Sequence, residues 1–147
     1  MTVRRKNIAL MKVLRYQYGN GAKNTDELDR LGKYHIGKKF IGTFAYDEYP
    51  FNAPDKSFAI INTDNKDGVH WVGLYKDKNK LYIYDSFARQ VNNLLNKFTD
   101  SAQRLGYQVI GTNLDGDQGN YQDDCGLRSL AWAMLTNKYG INNSKEI

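Results

Sequence analysis

Residues 69–85 read Val-His-Trp-Val-Gly-Leu-Tyr-Lys-Asp-Lys-Asn-Lys-Leu-Tyr-Ile-Tyr-Asp. Two runs rich in β-branched and aromatic residues, Val69–Tyr75 and Lys80–Asp85, flank the polar stretch Lys76–Asn79, which predicts an antiparallel hairpin. With the turn centred between Asp77 and Lys78, Leu74 meets Leu81, Val72 meets Ile83 and His70 meets Asp85. Side chains alternate along a strand, so these residues share one face. The other face carries Trp71, Gly73 and Tyr75 against Tyr84, Tyr82 and Lys80. Directly facing residues have Cβ atoms about 4.5–5.5 Å apart, within reach of an imidazole–carboxylate bond. Such a bond fixes the tautomer, orients the ring and stabilises the imidazolium. A slip of one residue would put His70 and Asp85 on opposite faces, and the apolar rows argue for the chosen register. The plain alternative is a solvated pair at a strand end, which contributes little.

Working outward, Ser57–Thr63 (SFAIINT) predicts a buried strand, and Phe40–Tyr46 predicts another. Pro50 and Pro54 bracket an irregular loop. Tyr107–Ile110 predicts a short strand. Ile8, Leu10, Met11, Leu14 and Tyr18 have helical spacing over 5–18, and Gly19-Asn20-Gly21 ends that helix. Asn24 with Glu27 three residues on is a capping box that opens a second helix, with Leu28 and Leu31 facing inward and Gly32 near its end. Val91, Leu94, Leu95, Phe98, Ala102 and Leu105 mark an amphipathic helix. Residues 112–124 form a polar loop, and a last helix starts at Cys125, with Leu127, Leu130, Ala131, Met134 and Leu135 as its apolar positions. The pattern is α+β: a small mixed or antiparallel sheet flanked by helices.

The chain has 147 residues, 41% of them hydrophobic and 13% aromatic. That supports one domain with a real core, and it excludes a disordered tail. We expect a single domain over 1–147, divided into an N-terminal extension (1–23) and a core (24–138). Net charge is +5, which suits an acidic protein surface or nucleic acid but is equally met in an ordinary basic domain. No apolar run approaches the ~18 residues a membrane span needs, and no signal peptide is expected. One cysteine cannot form an internal disulfide, which fits a reducing compartment or a thiol kept for its chemistry.

Cys125 sits where the polar loop meets the last helix. Free N–H groups and the macrodipole at a helix start favour a thiolate, and a protonated His nearby favours it further. Asp123 and Asp124 are natural caps for that helix, expected to point at backbone N–H groups or solvent. An inert, half-buried thiol is the bland reading, but Gly126 allows close approach of another backbone. A thiolate attacking an amide needs donors for the oxyanion. The Cys125 N–H is one, and Gln118 or Gln122 offers a side-chain amide. His35, in a Lys-rich stretch, reads as a surface residue. One Cys and two His, with no paired spacing, do not make a zinc site, and the Gly-rich stretch after Leu114 is not a phosphate loop.

The order Gly68-Val69-His70-Trp71, then Asp85, then Gln118-Gly119, then Cys125-Gly126-Leu127 resembles the adenovirus-type maturation cysteine proteases. Phe40-Ile41-Gly42-Thr43 and Ala59–Thr63 are similar to early segments of the same family, so the resemblance spans roughly residues 25–135. The SUMO-specific and ubiquitin-like proteases share the order more distantly. The resemblance implies a papain-like fold with permuted chain order, Cys125 as nucleophile, His70 as base and Asp85 as third member where the adenoviral enzymes have Glu. It selects Gln118, seven residues before Cys125, as the oxyanion donor, and puts Trp71 beneath the site. It implies a thiol endopeptidase that cuts viral capsid and core precursors, in the virion and the infected host cell. It implies no cofactor for the chemistry, and activation by DNA or by a viral peptide. Disulfide-linked activation would consume Cys125, so the basic segment 1–23 is the candidate to replace the peptide in cis. The chain stops about twenty residues after Cys125, where the adenoviral enzymes continue. The expected partners are protein substrates and DNA, with no membrane, and the expected state is a monomer. Two alternatives stay open: a deconjugating protease for a ubiquitin-like modifier, and a non-catalytic, basic nucleic-acid-binding or capsid-associated protein on the same scaffold.

Overall fold

The computed structural model describes residues 1–63, 70–86, 95–112, 124–145 and 147. Within them the chain order is α1 (Val3–Tyr18), α2 (Thr25–His35), β1 (Phe40–Ala45), β2 (Ser57–Asn62), β3 (Trp71–Asp77), β4 (Lys80–Tyr84), α3 (Asn96–Arg104), β5 (Gln108–Gly111), α4 (Cys125–Tyr139) and α5 (Ile141–Ser144). A single 3-10 turn, Gly37–Lys39, joins α2 to β1. The strands form one sheet in sequence order. β2, β3 and β4 are antiparallel neighbours, while β1 and β5 add parallel edges. The architecture is therefore α+β around a five-stranded mixed sheet.

The first two helix starts follow their local chemistry. Thr2 accepts from the Arg5 N–H at the head of α1. Asn24 and Glu27 close the expected capping box on α2, with bonds of 2.9 and 3.2 Å. On one face of the sheet, α2 and α4 pack Leu28, Leu31, Leu127, Leu130 and Trp132 against Phe58, Ile60, Trp71 and Tyr84. α1 lies outside α4 and adds Met11 and Leu14, both essentially fully buried, to the same core. The other face of the sheet carries Ala59, Ile61, Val72, Leu74, Leu81 and Ile83 under Leu95, Phe98 and Ala102 of the α3 region, with Tyr49 from the β1–β2 connection. β2, in the middle of the first three strands, is buried at every residue.

The hairpin forms, with its turn displaced. Tyr75 pairs with Tyr82, Lys76 with Leu81 and Asp77 with Lys80, so the turn is Lys78-Asn79 and the register differs from the expected one by two residues. Lys78 takes a φ of 56°, as a primed two-residue turn demands of its first central residue. The physical reason lies outside the hairpin. Asp55 accepts from the Lys76 ammonium at 3.2 Å and from the Lys78 N–H at 3.0 Å, and the Tyr107 ring stands 5.5 Å from that ammonium. Lys76 is thereby accommodated inside the strand and the turn begins later. A shift of two preserves every face assignment, because side chains repeat every two residues.

Other expectations meet smaller differences. The amphipathic helix is seen from Asn96, and its expected beginning at Val91 and Leu94 lies outside the described residues. The helix at Cys125 starts where expected, and the short α5 after it has no counterpart in the sequence reading.

Candidate active site

His70 precedes β3 and Asp85 follows β4, so both stand at the open end of the hairpin. Continuing the observed register puts Val72, not His70, opposite Asp85. His70 and Asp85 are therefore diagonal neighbours on one face, a separation that longer side chains can span. They do span it: His70 Nε2 and Asp85 Oδ1 are 2.7 Å apart, with the two side chains only 8% and 2% exposed. The strand end is secured by the Thr63 N–H donating to the His70 carbonyl at 3.1 Å.

Burial disfavours charge on His70. The hydrogen bond with Asp85 and the electrostatic influence of Asp85 and Cys125 outweigh it, and the ring titrates above the ordinary histidine value. The imidazole thus lies between a buried carboxylate and the cysteine.

Cys125 is the first residue of α4, and it is 8% exposed. This helix is buried through its first nine residues, Cys125 to Ala133, with Arg128 and Ser129 the polar members among largely apolar ones. Two contacts fix its start, and a third braces the strand beneath it. A Cβ at Gly126 would meet both Leu28 methyls at 3.0 Å and the Trp71 ring at 3.4 Å, tight enough that these neighbours would have to give way, so glycine favours the close approach of α4. The Ser129 hydroxyl donates to the Trp71 carbonyl at 3.3 Å. The Trp71 indole N–H donates to the Lys23 carbonyl at 3.0 Å, which ties the linker before α2 to the strand beside His70.

The expectation for Asp124 is corrected. It occupies the N-cap position, but its side chain makes no capping bond. Its carboxylate instead accepts from Arg15 of α1, at 2.7 and 3.0 Å, and from Arg128, at 3.0 Å. Guanidiniums form stronger, charge-assisted bonds than backbone N–H groups, and two of them claim this carboxylate. The Asp124–Arg128 spacing of four residues was visible as a helical ion pair. Nothing local pointed to Arg15. His35 is also corrected: it is half-buried between Tyr18 and Tyr34, with Nε2 2.8 Å from the Tyr18 hydroxyl and its pKa lowered by burial. Gln118, Gln122 and Asp123 lie outside the described residues.

Among the described residues, no cluster of three or more His, Cys, Asp or Glu side chains could hold a metal ion. No described helix is long and apolar enough to cross a membrane. Comparison of the sequence with protein-family models gives no match, and comparison with curated proteins gives none.

Proposed function

We propose that this protein is a cysteine peptidase in which Cys125 is the nucleophile, His70 the general base and acid, and Asp85 the residue that orients His70. The observation that carries the reading is the buried 2.7 Å bond between His70 and Asp85, with a cysteine at a helix start among the groups that act on the same imidazole. An inert thiol has no need of a buried carboxylate behind a histidine, whereas acyl transfer uses all three.

In the proposed reaction the thiol proton passes to His70 Nδ1. The sulfur adds to the scissile carbonyl, and the oxyanion is held by the Cys125 N–H and by Gln118. Collapse of the adduct breaks the C–N bond as His70 protonates the leaving amine. Water, deprotonated by His70, then hydrolyses the thioester and restores the thiol. Asp85 keeps the proton on Nε2 and stabilises the imidazolium throughout.

The finer reading is a maturation endopeptidase of the adenovirus type, with a permuted papain-like fold and viral structural precursors as substrates in the assembling virion. It is supported by the chain order His70, Asp85, Cys125 and by the helix that carries the nucleophile against one face of the sheet. Activation by DNA or a peptide belongs to this proposal, with the +5 charge as its support.

The decisive experiment is labelling by an electrophilic probe under reducing conditions. Cys125 should be labelled, and His70→Ala should suppress the labelling. Cys125 that stays unlabelled, or labelling indifferent to His70, would refute the peptidase. Peptides cut after glycine, set against a ubiquitin-like fusion, then separate maturation from deconjugation. Rates with and without DNA at low and physiological salt test the nucleic acid, since phosphate contacts are salt-sensitive.

A further inference from the structure

We propose that Arg15 is a positioning residue for Cys125, acting through Asp124; the inference builds on the reading of Cys125 as the nucleophile. Asp124 immediately precedes the cysteine and is 4% exposed. A carboxylate there has two places to go. It can cap the first turn of α4, as Asp usually does at this position, and so put negative charge where the thiolate forms. Or it can turn away.

The structure takes the second course, and the partners are specific. Arg15 Nε and Nη2 both donate to Oδ2, at 3.0 and 2.7 Å, while Arg128 Nε donates to Oδ1 at 3.0 Å. Arg128 belongs to the same helix as Cys125, so its bond cannot orient that helix against anything else. Arg15 comes from α1, 109 residues earlier in the chain, and supplies the tertiary restraint. Both oxygens of the Asp124 carboxylate are thereby engaged by guanidinium groups, one from each helix. One function follows: the carboxylate is kept off the helix-start N–H groups that the oxyanion needs, and its charge is kept away from the reacting sulfur.

Arg15 is suited to a test because it can be changed without emptying the core. Its side chain is 29% exposed and borders an open cleft of about 320 Å³ that Arg4, Lys12 and Arg128 also line. Asp124 in the Arg15→Gln variant keeps Arg128 but is free to swing to the helix start.

The experiment measures alkylation of Cys125 by neutral iodoacetamide at one pH near neutrality, for wild type, Arg15→Gln and Arg15→Lys, with thermal melting in parallel. We expect Arg15→Gln to slow alkylation on the order of tenfold, the scale of a partly screened unit charge moved near a reacting group. Arg15→Lys, which keeps the charge without the two-pronged fork, should fall between. The sign of the effect separates this role from general support. Cys125 is buried, so a merely loosened helix would expose it and speed the reaction. Alkylation unchanged or faster in Arg15→Gln overturns the proposal. Should that variant not fold, Arg15→Lys decides alone, and a rate equal to or above wild type overturns it. His70→Ala is the control for the underlying reading. If it leaves wild-type alkylation unchanged, the nucleophile assignment has failed; if it slows alkylation while Arg15→Gln does not, only the role of Arg15 has failed.

Discussion

The two ends of the β3–β4 hairpin carry the same kind of pair on the same face of the same strand. At the turn end Lys76 meets Asp55 at 3.2 Å, and at the open end His70 meets Asp85 at 2.7 Å. The bases are equally hidden, with 7% and 8% of their side chains exposed. The acids differ: Asp55 is 51% exposed and Asp85 only 2%. Asp55 sits in water and serves the backbone, holding Lys76 and the Lys78 N–H so that the turn closes where it does. Asp85 has surrendered its hydration, a cost of several kcal/mol for an ionised group, and that cost is offset by partners such as His70. What separates the pair that sets the turn from the pair proposed to do chemistry is the burial of the acid.

The comparison can be broken most sharply at the open end. Cys125→Ala and His70→Ala should each lower peptidase turnover on the order of 10⁴-fold or more while the protein still folds. Turnover assays paired with circular dichroism would check this. Asp85→Ala should lose less, on the order of 10²–10⁴-fold, since an orienting residue is usually the least costly member to remove. A folded Asp85→Ala as inactive as Cys125→Ala would make Asp85 more than a helper.

Midway along the strand the effect should fall on stability. A Cβ at Gly73 would come within 2.6 Å of the Trp132 ring, which is itself fully buried and stacked on Tyr84. Gly73→Ala should therefore cost about 1–3 kcal/mol by overpacking, measured by denaturant titration.

A subtler difference is in pH. His70 titrates above the 6.5 of an ordinary histidine. Its pairing adds stability that is complete below that unfolded value and fades as pH rises through the higher folded one. Melting curves from about pH 5 to 9 should show the advantage of wild type over His70→Gln shrinking as pH rises. An advantage that grows instead would mean the ring is held neutral. The smallest effect belongs to the turn end. Asp55→Asn should leave Cys125 alkylation within about twofold of wild type, because an exposed pair contributes little beyond its own neighbourhood.

The hairpin also shows which features a linear reading can reach. Alternation along β3 and β4 put His70 and Asp85 on one face, and that survived a register error because the error was an even number of residues. The error itself came from reading Lys76 as a turn residue on polarity alone. Its partner, Asp55, is 21 positions away and carries no local mark. Cys125 at a helix start was legible from the change in composition around it. Asp124 as an anchor was half legible: Arg128 shows in the spacing, and Arg15 does not. The five strands were all legible because their β-branched and aromatic runs are short, dense and bounded by turn residues. Their order in the sheet depends on how helices cover its faces, which no single segment encodes.

The bridge between Arg15 and Asp124 joins residues 109 positions apart. At synthesis rates of roughly 5–20 residues per second, α1 would leave the ribosome about 5–20 s before the residues it grips. During that interval Met11 and Leu14 have no α4 to cover them, and the nucleophile does not yet exist. The peptidase proposed here thus has no nucleophile with which to cut its own nascent chain until α1, α2 and all five described strands have been made.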